Sequence, residues 1–239
     1  AMSTDNLVVL ETTDLRALTT DQFAAVTPEQ VVAITSDQVA AITTAQAGAL
    51  IEDQLDVLTT DQIGAMTTAQ LSQIVANRLG ALDTDQVVAI GVDVSRMTTE
   101  QFAAFADTQV AAMTTDQVAA LTTTQTAVLS ANQVAGMGTD QVVALSSAQM
   151  RQLSADRITI MTTEQIAAID TVDLAALYTD QVAGIDAGQV AGLTTDQLVS
   201  LSTAQVQVLD QGVVSGLSSD QLRALETRDV AALTTAQVR

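Results

Sequence analysis

The sequence lacks most of the side chains on which protein chemistry usually depends. Its 239 residues include no Cys, His, Trp or Lys, one Pro, one Tyr and three Phe. Without Cys and His the chain cannot form disulfides or thiolate and imidazole metal sites, and it lacks the commonest general acid–base group. A hydroxyl nucleophile would have neither His nor Lys as its base. The sequence therefore predicts that the chain is not an enzyme and has no catalytic, cofactor-binding or metal-binding residues.

Positive charge is scarce and negative charge is abundant. Eight Arg stand against 28 acidic residues, which gives a net charge of −20. Binding to a nucleic-acid backbone or to an anionic membrane surface requires clustered Lys or Arg. No apolar run approaches the roughly twenty residues of a spanning helix. We therefore predict no nucleic-acid partner and no membrane insertion.

One eight-residue motif accounts for nearly the whole chain, in about thirty consecutive copies. It reads TTDQVAAL at 114–121, and close variants occupy 19–26, 35–42, 162–169 and 194–201. We call each copy an octad and number its places from one (Thr114) to eight (Leu121). Place eight is apolar in every complete octad, and place five is apolar in nearly all, with Thr126 as an exception. Place seven is usually small.

Place four is Gln in most octads. Its departures are Asn6, Asp14, Arg78, Arg157, Asp173, Val213 and Asp229. One continuous helix does not fit this repeat, because eight residues at about 100° overshoot two turns by roughly 80°. The apolar places would then spiral around the axis and would not form the seam of a coiled coil.

Each octad carries the signals of a helix start. Thr at place one and Gln at place four form a capping box, and the apolar places eight and five flank it as a hydrophobic staple. Pro28 falls at the first helical position, where a missing amide costs least. Acidic residues at place three lie in the first turn, where the helix dipole favours negative charge. Examples are Asp21, Glu29, Asp37, Asp61 and Asp116.

These signals predict an all-α fold, an α-solenoid or superhelix of very short helices with one helix per octad. Helices of about six residues are unstable alone, so octads must stack on one another. A β-solenoid is the competing fold because Thr, Val and Ile suit strands. The VAAL block is contiguous, however, and does not alternate as a strand would. Gln117→Ala should cost about 1 kcal/mol at most, the scale of a helix cap.

We predict a single repeat solenoid over residues 3–239, preceded by a cloning remnant at residues 1–2. Residues 91–97 form a copy one residue short, without place four, which should mark a kink, and the last copy is truncated. Ile51 and Val75 replace the capping hydroxyl, so these two helix starts should be weaker. The absence of a complete last copy indicates a piece excised from a longer array.

The charged and aromatic residues allow alternatives. An Asp in each octad could contribute to calcium sites, but calcium needs six to eight converging oxygens and no octad has the spacing of a calcium loop. Helix capping explains the same Asp residues. The Arg residues are expected to pair with neighbouring Asp, with recognition by Arg78 and Arg157 as the alternative. Tyr178, Phe102 and Phe105 are too few to line a stacking groove.

The TTDQVAAL-type copies resemble repeat regions of large secreted or surface-associated bacterial proteins, including adhesin-like ones. The resemblance implies an extracellular or cell-surface spacer or adhesive stalk. Our first hypothesis is therefore a structural, elongated solenoid that serves as a spacer or display scaffold. The second is a solenoid that binds a protein or peptide, or another copy of itself. The third is an acidic mimic of nucleic acid, which the sparse carboxylates disfavour.

Overall fold

The computed structural model describes residues 2–209, 211–225 and 227–237, and in these residues the chain is helical, with no strand. The chain divides into two compact units, Ala1–Leu121 and Thr122–Arg239, with the boundary between two octads. Each unit is an α-solenoid of very short helices, one per octad, which confirms the predicted fold class. The single domain over residues 3–239 stays a prediction.

The helices of the first unit have four to six residues each, and those at 76–81 and 91–96 are 3₁₀ helices. Their bounds are Thr4–Val8, Thr12–Ala17, Thr20–Ala24, Pro28–Ala33, Ser36–Ala41, Thr44–Ala49, Glu52–Asp56, Thr60–Ala65, Thr68–Leu71, Ala76–Ala81, Thr84–Ala89, Gly91–Arg96, Thr99–Ala103, Asp107–Ala112 and Thr115–Ala120.

The described helices of the second unit repeat the same lengths in α-helical form. Their bounds are Thr123–Ala127, Ala131–Gly136, Thr139–Val143, Ser147–Met150, Ala155–Thr159, Thr163–Ala168, Thr171–Ala176, Thr179–Ala183, Ala187–Ala191, Thr195–Ser200, Thr203–Val208, Gln211–Gly216, Ser219–Ala224 and Thr227–Ala232.

Each α-helix begins at place two, and place one is an extended cap wherever the structure describes that residue. Thr59 has φ −71° and ψ 159°, which interrupts the helix before it. Its hydroxyl accepts a hydrogen bond from the Gln62 amide at 3.2 Å, and its own amide donates to Gln62 Oε1 at 2.8 Å. Pro28 is the first residue of its helix. The predicted helix starts are confirmed.

Within each unit, the main contacts between helices join each helix to the helices three positions before and after it in the chain. In the first unit, Thr12–Ala17 contacts Ser36–Ala41, and Ser36–Ala41 contacts Thr60–Ala65. In the second unit, Thr171–Ala176 contacts Thr195–Ser200 in the same way. Three octads therefore make one turn of the solenoid.

The core is formed by places five and eight. Val118 is fully buried at place five, and Leu121 is 5% exposed at place eight. Thr126, the polar exception at place five, is also fully buried, and its hydroxyl donates to the Thr122 carbonyl oxygen at 3.1 Å. This local bond satisfies the hydroxyl, so Thr126 can occupy a core position.

Place seven lies close to the neighbouring turn at several glycines. A Cβ on Gly184 would lie 2.6 Å from Thr159 Oγ1, and a Cβ on Gly192 would lie 2.3 Å from Thr163 Cγ2. Both threonines belong to the octad three copies earlier. The small residues at this place therefore allow a close approach between turns.

The short copy keeps its place in the stack. Val94 and Met97 are buried like places five and eight of other octads. Gly91 has φ +62°, so the chain turns here in the left-handed region that glycine allows, without an extended cap. The irregularity is therefore a 3₁₀ helix and a glycine turn, and the helix Gly91–Arg96 still contacts Thr115–Ala120.

The helix starts at Ile51 and Val75, where an apolar residue replaces the capping Thr, differ from each other. Ile51 retains half of the capping box, because its amide donates to Gln54 Oε1 at 3.0 Å, and its helix is α-helical. Val75 is followed by Arg78 in place of Gln and has no side-chain cap. Its octad forms a 3₁₀ helix, as expected of a weaker start.

Candidate functional site

The main polar constellation is a row of buried glutamines at place four. Gln62 is 2% exposed, and its Nε2 donates to the carbonyl oxygens of Val31 at 2.9 Å and Ile34 at 2.7 Å. These carbonyls are at places five and eight of the octad four copies earlier. The same side chain accepts from the Thr59 amide through Oε1. One glutamine thus caps its own helix and binds the end of a helix in the preceding turn.

We call this arrangement the glutamine ladder. In the second unit Gln165 repeats it, with Nε2 donating to the carbonyl oxygens of Val134 at 3.0 Å and Met137 at 2.7 Å. The members with both kinds of bond within one unit are Gln38, Gln46, Gln54, Gln62, Gln70, Gln86, Gln101, Gln109 and Gln117, then Gln165, Gln181, Gln189, Gln197, Gln205, Gln221 and Gln237.

The ladder provides hydrogen-bond donors for carbonyl groups at the ends of the short helices. The last carbonyl groups of any helix have no partner within it, and a buried carbonyl without a partner costs free energy. In a six-residue helix these groups form a large share of the backbone. The glutamine amide supplies the missing donors, and no buried side-chain nitrogen or oxygen in the described part of the chain lacks a partner.

The capping interpretation of place four is therefore incomplete. A capping box accepts Glu as readily as Gln, yet no octad has Glu at place four. Glu could accept from the cap amide but could not donate to a carbonyl. That exclusion is the signal in the sequence that points to the ladder. Gln117 also donates to the carbonyl oxygens of Val87 and Gly91. The expected cost of about 1 kcal/mol for Gln117→Ala covers only the helix cap and does not include the loss of these bonds.

The prediction that Arg78 and Arg157 pair with Asp is wrong. Arg78 Nη1 donates to the carbonyl oxygens of Gly48 at 3.2 Å and Leu50 at 2.5 Å. Arg157 Nε donates to the Leu129 carbonyl oxygen. Both guanidinium groups occupy the donor position of the ladder, because Arg can donate to carbonyls as the glutamine amide does. Neither can accept from the cap amide.

Carboxylates in the region of place four make a different contact. Asp229 is fully buried, and its Oδ1 accepts from Thr203 Oγ1 at 3.0 Å. Asp173 accepts from Ser147 Oγ, and Asp93 of the short copy accepts from Thr68 Oγ1 at 2.9 Å. Each hydroxyl is at place two, three octads earlier. A carboxylate cannot donate to carbonyls, so it binds this hydroxyl instead.

The acidic residues at place three lie on the surface. Asp21, Glu29, Asp37, Asp61 and Asp116 are all exposed. Among residues 2–209, 211–225 and 227–237, no group of three or more Asp or Glu side chains lies close enough together to hold a metal ion. The pKa of Glu29 is lowered because its carboxylate accepts from its own backbone amide and from the Thr27 hydroxyl.

Two of the arginines pair with Asp as expected. Arg223 Nη1 lies 2.9 Å from Asp220 Oδ1, and Arg96 Nε lies 3.9 Å from Asp93 Oδ1. Both pairs are solvated and contribute at most about 1 kcal/mol each. Arg151 instead places its guanidinium 4.7 Å from the ring centre of Tyr178, a cation–π contact. Arg239 and the side chain of Arg228 lie outside the described residues.

The aromatic residues do not line a groove in the described structure. Phe102 and Phe105 are buried and pack edge to face, with ring centres 6.0 Å apart. Tyr178 is at place one, where its amide donates to Gln181 Oε1 at 2.8 Å, and its side chain is 49% exposed. In the described part of the chain, no helix is long and apolar enough to cross a membrane.

The sequence model of the ALTTAQ repeat family matches residues 91–123 and 166–203. The six letters of that name occur at 232–237, where they cover places seven and eight of one octad and places one to four of the next. Over the two matched stretches the chain is similar to this family, and it contains a short tandem-repeat region. No curated protein matches the chain.

Proposed function

We propose that this chain is a non-catalytic structural repeat region that serves as a spacer or display scaffold in a larger secreted or cell-surface protein. The glutamine ladder carries this proposal. The side-chain amide of place four and the hydroxyl of place one are the octad's best polar groups; the hydroxyl caps its own helix, and the amide holds one octad on another. Little bonding capacity remains for a substrate or ligand.

The exposed places support the same role. Place six has Arg16, Arg151, Thr159 and Arg223 in different octads, and all four are exposed. They share neither charge nor shape, so they give no recognition surface of one chemistry. An acidic chain without Cys is also compatible with export. A protein- or peptide-binding module is the alternative function.

A spacer should tolerate removal of whole turns. Deleting residues 35–58 removes three octads and brings Gln62 to the position that Gln38 held, opposite the carbonyls of Leu7 and Leu10. We expect this variant to keep its helical circular dichroism and its cooperative unfolding. Deleting residues 35–46 removes one and a half octads, misaligns the ladder and should abolish both.

The distance between two labelled positions tests the spacer role itself. Because the chain has no Cys, Val9→Cys and Thr235→Cys give two unique labelling positions. Removing 35–58, and then also 162–185, should shorten the distance between two attached dyes in two similar steps. An unchanged distance, or loss of folding on removal of one whole turn, would overturn the spacer. A partner captured through the exposed places would favour the binding module.

A further inference from the structure

Two aliphatic side chains share one corner of the first unit. Place one, which is Thr, Ser or Asp in most octads, has a branched aliphatic residue only at Ile51 and Val75. Ile51 is 40% exposed and Val75 is 47% exposed. They are three octads apart, which is one turn of the solenoid, and the helices that follow them, Glu52–Asp56 and Ala76–Ala81, contact each other. The two side chains therefore occupy the same position in successive turns.

Neither residue stabilises its own helix in the usual way. A capping hydroxyl at place one contributes about 1 kcal/mol, and both octads lack it. Burial does not compensate, because a large part of each aliphatic side chain stays in contact with water. Residues that break a local rule without a structural gain are typical of functional positions. The pair at Ile51 and Val75 therefore marks a contact surface.

Two open clefts lie at this corner, one turn apart. The first has a volume of about 250 Å³ and the second a volume of about 270 Å³. The first is lined by Ile51, Glu52, Asp53 and Arg78, and the lining of the second includes Val75, Ala76, Thr98 and Glu100. We call the surface formed by Ile51, Glu52, Asp53, Val75 and Glu100 the Ile51–Val75 surface. It combines apolar side chains with space for a ligand to enter between turns.

The charge of this surface is negative. Glu52, Asp53 and Glu100 are all exposed. The Arg78 guanidinium is half-buried, and its Nη1 donates to the Leu50 carbonyl oxygen at 2.5 Å, so this positive charge is directed into the stack. A partner that complements the surface therefore carries positive charge next to apolar side chains.

We propose that the Ile51–Val75 surface binds a basic segment of another protein. Aliphatic side chains of the segment would enter the two clefts, and its Lys or Arg side chains would pair with the three carboxylates. Packed helices lie about 8–10 Å apart. A segment in the polyproline II conformation rises about 9.3 Å in three residues, so every third side chain meets a successive turn. The surface is small, so binding is weak and transient. This inference goes beyond the spacer role and does not depend on it.

A labelled peptide with the repeat Leu-Lys-Pro is the probe for this surface. Its Pro residues favour the polyproline II conformation, and its Leu residues recur at every third position. A Ser-Lys-Pro peptide keeps the positive charge without the apolar side chains, and a Leu-Glu-Pro peptide reverses the charge. Fluorescence anisotropy measures their binding to the 239-residue chain. The Leu-Lys-Pro peptide should bind at least about fivefold more tightly than either of the others.

Ile51→Thr combined with Val75→Thr tests the apolar part of the surface. The double variant gives both octads the residue that is commonest at place one, so it should keep the fold and its helical circular dichroism. We expect its affinity for the Leu-Lys-Pro peptide to fall about fivefold, to that of the Ser-Lys-Pro peptide. Val128→Thr combined with Val143→Thr is the matched control, because these residues are 37% and 47% exposed in the second unit. The control should bind as the unmodified chain does.

Glu52→Gln combined with Glu100→Gln tests the charge. This variant should bind the Leu-Lys-Pro peptide about threefold more weakly at low salt, and the difference should shrink as salt screens the charges. Glu11→Gln combined with Glu164→Gln removes the same net charge from exposed positions outside the surface. It should have a smaller effect, because only the overall attraction of a chain with net charge −20 is reduced.

Several results would overturn the proposal. One is equal binding of the Leu-Lys-Pro and Ser-Lys-Pro peptides, or no binding of either. Others are equal losses from a test variant and its matched control, and equally tight binding of the Leu-Glu-Pro peptide. Sedimentation velocity gives a further check. Self-association of the unmodified chain that is lost in the Ile51→Thr and Val75→Thr double variant would assign the surface to a second copy of this chain instead.

Discussion

The Nε2 atom of Gln62 lies 2.9 Å from the carbonyl oxygen of Val31, 31 residues earlier. This bond connects the start of one helix to the end of another in the preceding turn. The helices are too short to be stable by themselves, and each ends in carbonyls without intrahelical partners. Place four therefore links the local choice of Gln to the stacking of the whole array.

The octad at 75–82 should be stabilised by restoring its place one and place four. We expect Val75→Thr with Arg78→Gln to raise the free energy of unfolding by about 1 kcal/mol, the scale of a helix cap. The new Thr hydroxyl and Gln oxygen would rebuild the capping box, and the Gln amide would still face the Leu50 carbonyl. Urea unfolding measures the change.

Val75→Ala with Arg78→Gln is the control for this variant, because it restores the glutamine without the hydroxyl. It should recover less stability than the Thr variant. Amide hydrogen exchange at Leu79 gives a local measure. Equal protection of this amide in the two double variants would contradict the capping account of this helix.

Two glycines at place six should respond oppositely to alanine. A Cβ on Gly48 would lie 3.0 Å from the Gln73 carbonyl oxygen, whereas on Gly64 the nearest atom would be the Ala89 carbonyl oxygen at 3.5 Å. Gly64→Ala should therefore stabilise by about 0.5–1 kcal/mol, since alanine favours the helix. Gly48→Ala should be neutral or destabilising. Thermal unfolding of the two variants makes the comparison, and a similar gain from both would contradict the close packing at Gly48.

A charge at place five should disrupt the core. Val118 is fully buried, so Val118→Asp places an unpaired carboxylate among apolar side chains and should cost several kcal/mol. Val172→Asp introduces the same charge at a residue that is 73% exposed and should change stability by less than about 0.5 kcal/mol. Denaturant unfolding of the two variants tests whether the loss of stability comes from burial at place five and not from added negative charge in general.

Glu29 should titrate below its ordinary pKa of 4.5, because its backbone amide and the Thr27 hydroxyl donate to the carboxylate. A pKa that is lower in the folded state stabilises the fold above the unfolded-state pKa, and this stabilisation is lost as the pH falls through the folded-state pKa. Thr27→Val should raise the pKa of Glu29. Carboxyl ¹³C chemical shifts followed with pH measure it, and no change on Thr27→Val would contradict the hydroxyl contact.

The helix starts could be predicted from sequence because capping is local. Thr59 and Gln62 are three residues apart, and their reciprocal hydrogen bonds depend only on that spacing. The ladder could not be derived in the same way. The repeat period does not say which octads meet in space, since that depends on the angle between successive helices. The three-octad turn sets that angle and places Gln62 opposite Val31.

The roles of the exceptional residues also depended on this geometry. Arg78 was predicted to pair with Asp on a solvated face, but stacking brings its guanidinium to the Leu50 carbonyl. Gly91 lies in a copy one residue short, and only its backbone φ of +62° shows how the chain turns there. The sequence showed that these two positions depart from the repeat. It did not show which carbonyl Arg78 contacts or which backbone conformation Gly91 adopts.

The central claim is that place four binds the preceding turn in addition to capping its own helix. Gln62→Glu keeps the oxygen that accepts from the Thr59 amide but removes the donor to Val31 and Ile34. Gln22→Glu is the matched control, because Gln22 Oε1 accepts from the Thr19 amide in the same way but its Nε2 donates to no described residue. Both variants should be compared by urea unfolding under identical conditions.

We predict that Gln22→Glu changes the free energy of unfolding by less than about 0.5 kcal/mol. Gln62→Glu should lower it by about 3 kcal/mol or more, because it leaves carbonyls without donors and buries a carboxylate beside them. Equal and small losses from the two substitutions would mean that place four acts only as a cap, and would contradict the ladder as the contact that holds the turns together.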